Sequence, residues 1–190
     1  MKKLLSLALV VVLIFACTAT AFAATKTGLG IVTYTNASRS ASERDGELVS
    51  GRAQVDSTIC AVTIDENNVV VAISFDVAQT RVAFNAEGQI ESDLTVTTPS
   101  KRERGFDYNM LWVSAERGTN DGVGFELFEQ LDHLEAYCIG KTVDQVLNIR
   151  TEKYDDDHLF VPADEDLKSL VTITIGEFLE AFAKAVENAK

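Results

Sequence analysis

The stretch Ile59-Cys60-Ala61-Val62-Thr63-Ile64, Asp65-Glu66-Asn67-Asn68, Val69-Val70-Val71-Ala72-Ile73-Ser74-Phe75-Asp76-Val77 decides the fold class. Two runs rich in β-branched residues flank four polar turn formers, which is the pattern of an antiparallel hairpin. In the second run Val71, Ile73, Phe75 and Val77 share one face by the period of two. Val70, Ala72 and Ser74 line the other, so both faces are expected to be partly covered. Thr80 to Phe84 continues the extended pattern, and Glu87-Gly88 makes a turn before Gln89-Ile90. Upstream, Leu29 to Tyr34 reads as a shorter strand. Residues 36–51, rich in Ser, Asn, Arg and Gly, read as a surface loop.

Beyond the hairpin the period changes. Thr97 to Gly105 holds Pro99, Lys101, Arg102 and Arg104, a small basic cluster read as a solvated loop beside Glu103. From Gly122 a helical spacing of three and four begins, with Phe128, Leu131, Leu134 and Cys138 on one side. Asn120 and Asp121 are available to cap its start, and Gly140 suits its end. Thr142-Val143-Asp144-Gln145 has the capping-box pattern of a short helix running through Leu147. Asp155-Asp156-Asp157-His158 lacks the ligand spacing and turn glycine of a calcium loop and reads as solvated. Val171 to Ile175 is strand-like, and Phe178, Leu179, Phe182, Ala185 and Val186 mark a terminal amphipathic helix. The expectation is a single compact α+β domain over residues 24–190. Its sheet is largely antiparallel, with a mid-chain helix and a C-terminal helix packed on it.

The first residues are of another kind. Lys2 and Lys3 precede an apolar run from Leu4 to Ala16, and Ala21-Phe22-Ala23 comes after it; this is the signature of a secretory signal peptide spanning residues 1–23. The run is short for a membrane span of about 20 residues. Ile14-Phe15-Ala16-Cys17 offers the alternative of a lipid anchor on Cys17. No later stretch is apolar enough to span a bilayer, so an exported, extracytoplasmic protein is expected. The chain of 190 residues carries 17 Lys+Arg against 29 Asp+Glu, a formal net charge of −12. Such a surface favours solubility and argues against binding nucleic acid, which requires a positive footprint.

Recognisable catalytic constellations are scarce. There is no GxSxG elbow, Walker loop or dinucleotide fingerprint, and Gly28-Leu29-Gly30 and Gly140-Lys141-Thr142 are too short to count. His133 and His158 have no ligand-spaced partners, so no metal centre is expected. Cys138 and His133, five apart on one helix, point to different sides. After signal removal Cys60 and Cys138 remain, read as two buried free thiols rather than a disulfide.

The most informative late segment is Asp166-Leu167-Lys168-Ser169-Leu170-Val171-Thr172, followed by the alanine-rich helix through Glu187. It resembles the C-terminal signature of the FMN-binding domain family, D-x-x-[ST]-G-A-[ST]. These are exported flavoproteins, some of them peripheral subunits of membrane redox complexes. Leu170-Val171 stands where the family has Gly-Ala. The resemblance implies that Thr172 carries FMN through a phosphoester bond, with Ser169 and Asp166 as the motif's other members. It further implies a flavin transferase and a membrane redox complex as partners. Two classes of function remain open: an extracytoplasmic flavin carrier, or an exported binding or surface module that keeps the fold without the flavin.

Overall fold

Three long strands carry the architecture, in a computed structural model that describes residues 24–111, 124–154 and 159–190. Residues 1–23, read above as a signal peptide and including Cys17, the pair Asn120 and Asp121 read as a cap, and the acidic run 155–158 lie outside these residues. Strand β1 is Lys26–Tyr34, and β2 (Ser42–Arg44) with β3 (Glu47–Val49) forms a small hairpin. Strands β4 (Gly51–Ile64) and β5 (Val70–Phe84) pair antiparallel along their whole lengths, from Gly51 opposite Phe84 to Ile64 opposite Val70. The main sheet runs β1-β4-β5.

Local chemistry explains each turn. The Asp65 carboxylate accepts the N–H groups of Asn67 and Val69, and Asn68 takes the left-handed φ of 57° that closes the β4–β5 connection. Residues 36–51 are not the loop their composition suggested. Asp45 and Gly46 both have positive φ, the requirement of a two-residue hairpin turn, so β2 and β3 pair across them and β4 begins at Gly51.

One irregularity changes which side chains face the core. A register shift between Thr63 and Ile64 places an extra residue in β5. Val70, not Val71, therefore joins Ile73, Phe75 and Val77 inside, while Val71 is exposed. The face opposite the core is only partly covered. Leu29 and Ile31 remain about half exposed, at 52% and 48%, on the face opposite the core.

Four helices come after the strands among the described residues: α1 (Leu127–Cys138), α2 (Val143–Leu147), α3 (Glu165–Lys168) and α4 (Gly176–Glu187). Between α2 and α3, the two-residue strands β6 (Thr151–Glu152) and β7 (Val161–Pro162) pair antiparallel. The whole is one compact α+β domain with an antiparallel sheet. None of these helices is long and apolar enough to cross a membrane. Helix α1 starts later than its apolar spacing suggested. Gly124 adopts a φ of 73°, and Glu126 is the cap, with its N–H given to Glu129 Oε2. The Glu126 carboxylate is also taken by the N–H groups of Met110 and Leu111, which fixes the approach to the helix. At the other end Gly140 has a φ of 81°, and its N–H bonds Val70 O on the edge of β5. Helix α2 carries the reciprocal Thr142–Gln145 capping bonds that the sequence pattern announced.

Helix α4 lies on β1 and β4, and Gly28-Leu29-Gly30 sets how closely. A Cβ on Gly28 or Gly30 would come within 3.0 Å of the backbone of Ala185 or Ala181. Glycine on the strand and alanine on the helix together bring backbone to backbone. The pair is a packing device, not a cofactor fingerprint.

Both edges of the sheet are occupied by groups that are not strands. On β1, Thr27 exchanges backbone bonds with Lys190, while Asn188 and Lys184 reach the carbonyls of Leu29 and Ile31. On β5, Gly140 and Lys141 bond Val70, Glu135 Oε1 accepts the Phe75 N–H, and the Lys101 N–H meets Val77 O. Arg102 stitches this edge by donating to Phe75 O and to the carboxylates of Asp132 and Glu135.

Cys60 and Cys138 meet in one core and are both free and buried. Burial pushes each thiol up to about 12, with Glu135 adding to both, Cys138 adding to Cys60, and Lys141 opposing at Cys138. At pH 8 the thiolate fraction of such a group is roughly 10⁻⁴, against about a quarter for an ordinary cysteine. Cys60 and Cys138 are therefore expected to resist a thiol-specific reagent at pH 8 in the folded protein and both to react in denaturant. Rapid labelling of either thiol in the native protein, or of neither after unfolding, would contradict this arrangement.

Candidate functional site

The segment from Phe160 to Phe178 contains the three residues that the motif names. It is anchored first at Asp164, which precedes α3. Asp164 accepts a hydrogen bond from Arg150 Nε at 2.8 Å and another from the Tyr137 hydroxyl at 3.2 Å. The Arg150 bond holds the Asp164 carboxyl below the usual range, and the Tyr137 bond acts in the same direction. The Tyr137 phenol is raised, by burial and then by Asp164. This clasp ties α1, the strand region at Arg150 and the start of α3 into one unit.

The three residues named by the motif are spread along the chain beyond this clasp. Asp166 lies in the first turn of α3 and is exposed; Ser169 caps the end of that helix and is also exposed. Thr172 is half-buried. No hydrogen bond joins the three among the described residues. Between them, Leu167 O accepts the N–H groups of both Leu170 and Val171 at 2.9 Å, which turns the chain inward. Val171 is fully buried and Leu170 packs against the core. The residues in the family's Gly-Ala positions therefore act here as apolar anchors.

Val171 to Ile175 is not a strand. The alternation is genuine, since Val171, Ile173 and Ile175 are buried and Thr172 and Thr174 are less so. No neighbouring strand among the described residues pairs with it. The backbone is satisfied by a side chain instead: Gln130 Oε1 accepts the N–H groups of Thr172 at 2.9 Å and Ile173 at 3.3 Å. The Thr172 hydroxyl reaches the same oxygen at 3.4 Å, a weak contact. Gln130 is only 2% exposed, and its amide donates to Phe125 O at 3.0 Å. Its signal was present in the sequence, as the one polar residue within the Leu127, Leu131, Leu134 stripe.

The segment ends at α4, whose first turn has no side-chain cap because Ile175 occupies the cap position. The Ile175 N–H bonds Phe160 O at 3.0 Å. Phe160 itself has a φ of 62°, a left-handed conformation that is an outlier for a bulky aromatic. Its side-chain atoms lie 3.6 Å from where a Cβ on Gly176 would stand, and the residue is 57% exposed. An exposed ring thus sits beside an uncapped helix N-terminus. No local sequence signal marks Phe160, since only the β7–α4 geometry places it there.

No family model matches the chain, and neither the curated proteins nor the solved structures yield a match. Function must therefore be read from the residues themselves. No group of three or more His, Cys, Asp or Glu among the described residues is placed to hold a metal ion.

Proposed function

We propose that this chain is an exported, FMN-binding-domain-like flavin carrier in extracytoplasmic electron transfer, with Thr172 as the attachment residue. The observation that carries the reading is a half-buried hydroxyl with one weak contact, four residues ahead of a helix whose first turn has no side-chain cap. First-turn N–H groups and the positive end of the helix dipole suit a phosphoryl group. The exposed Phe160 ring beside Gly176 offers an apolar surface for an aromatic group at the same helix end. Asp166 and Ser169 stand upstream on exposed positions, open to a modifying flavin transferase. Gln130 holds the Thr172 backbone in place while leaving its hydroxyl lightly engaged. A flavin so attached supplies the redox chemistry, and the protein supplies position and electrostatics. A membrane redox complex is the corresponding partner.

Co-expression with a flavin transferase is expected to add FMN to the peptide containing Thr172, seen by mass analysis, and Thr172→Ala to abolish it. A second reading, the binding module without flavin, is favoured by one feature. Leu170 and Val171 put bulk and core packing where the family has Gly-Ala. That reading expects an unmodified wild type and an adduct only after Leu170→Gly with Val171→Ala. If neither protein is ever modified, the resemblance itself fails.

A further inference from the structure

A second group of side chains, remote in sequence from Thr172, converges at the β5 edge. Val77 and Ala83 turn their backbone groups outward there, to Lys101 N–H and Glu91 N–H respectively. By the alternation of an antiparallel strand, Gln79 and Arg81 turn theirs to the same side. The loop at Thr98 to Arg104 runs opposite, and between them lies a hollow of about 180 Å³ lined by Gln79, Arg81, Thr98, Pro99, Lys101 and Arg104. Each arginine is held by part of its guanidinium. Arg81 Nε donates to Gln54 Oε1 at 3.0 Å. One terminal nitrogen of Arg104 donates to Asp107 O at 3.0 Å, and its guanidinium carbon lies 5.0 Å from the centre of the Tyr108 ring. Lys101 pairs loosely with Asp56, at 4.0 Å. The remaining guanidinium nitrogens of Arg81 and Arg104 have no hydrogen-bond partner among the described residues.

We propose that this hollow is a binding site for a phosphoryl dianion, either inorganic phosphate or the phosphate of a small monoester. Three cations line the hollow, against the Asp56 carboxylate beside Lys101 and the exposed Glu103 on the same loop. Planar guanidinium forks anchored at one edge are suited to bidentate bonds with phosphate oxygens. The Thr98 hydroxyl and the outward N–H groups of Gln79 and Arg81 add neutral donors. The chain's net charge of −12 does not overrule this. Charges beyond about 8 Å are largely screened at physiological salt, whereas an anion in contact with the arginines is not. The site does not rest on the flavin reading and shares no residue with it.

The test uses the full chain and two probes at matched ionic strength, inorganic phosphate and phenyl phosphate, against chloride. Titration calorimetry is expected to show saturable binding of at least one probe, weakened about tenfold or more in Arg81→Gln with Arg104→Gln. Binding of both probes points to free phosphate or a small monoester alike; binding of phenyl phosphate alone identifies the monoester as the source, and of phosphate alone the free ion. Arg39→Gln, at a different hollow lined by Ser38, Arg39 and Phe84, is expected to bind as wild type does. No saturable binding of either probe, or equal affinity in the double variant with its unfolding midpoint unchanged, overturns the proposal. Should the double variant not fold, Lys101→Gln and Thr98→Val individually provide the comparison, and unchanged affinity in both overturns it equally.

Discussion

Gly30→Val is expected to cost about 3–5 kcal/mol of stability, enough to prevent accumulation of folded protein in a domain of this size. The side chain would be driven into backbone, since even the first added carbon falls within 3.0 Å of atoms of Ala181 and Ala185. Backbone cannot rotate away as a flexible side chain can. Helix α4 would have to lift off β1, and Phe178, Ala181, Phe182 and Ala185 would lose their packing together. Gly28→Val is expected to act in the same way at Ala185. Leu29→Ala between them, half exposed on the open face, serves as the control and is expected to change stability by under about 1 kcal/mol. Urea unfolding of the three variants checks this. A Gly30→Val protein as stable as the Leu29→Ala control would show that the helix does not sit as close as described.

Gln130→Leu is expected to cost about 2–4 kcal/mol, although leucine has a similar volume and sits in an apolar stripe. The substitution leaves the N–H groups of Thr172 and Ile173 without their shared acceptor, and Phe125 O without its donor. An unsatisfied buried polar group costs about 1–3 kcal/mol, and burial of the new methyl groups recovers only part of it. Hydrogen exchange adds a local readout. The amides of Thr172 and Ile173 should lose protection before those of β4 and β5. Unchanged protection at these two amides would mean that Gln130 does not organise the segment.

Much of the fold was legible because its decisive features are local. The hairpin around Asp65–Asn68, the capping box at Thr142 and the apolar spacing of α4 each depend on residues within one turn or one strand. Elements set by distant partners were read less well. Val171–Ile175 alternates as a strand does, yet a glutamine 42 residues away in the chain takes the bond of Thr172 that a neighbouring strand would have taken. The hairpin within residues 36–51 was hidden because Asp45 and Gly46 lie among polar residues with little apolar alternation. In the candidate site, Asp166, Ser169 and Thr172 were singled out by the motif resemblance alone. Asp164, Gln130 and Phe160, which shape the segment, act through contacts with α1, Arg150 and Gly176. The packing role of the early glycines became visible only with α4 across them.

The groups seated along both margins of the main sheet restrict how this molecule can meet another copy. Thr27, Leu29 and Ile31 are met by Lys190, Asn188 and Lys184, while Val70, Phe75 and Val77 are met by Lys141, Glu135 and Lys101. At these positions a foreign strand would have to displace the seated groups before it could form a ladder bond. Lengthening of the sheet into a fibre-like ribbon, the usual hazard of a small antiparallel sheet, is thereby disfavoured. Among the described residues, the broad side bearing Leu29 and Ile31 carries no such guard. Self-association through this sheet would therefore proceed by stacking, with spacing of about 10 Å, and not by growth in the hydrogen-bonding direction.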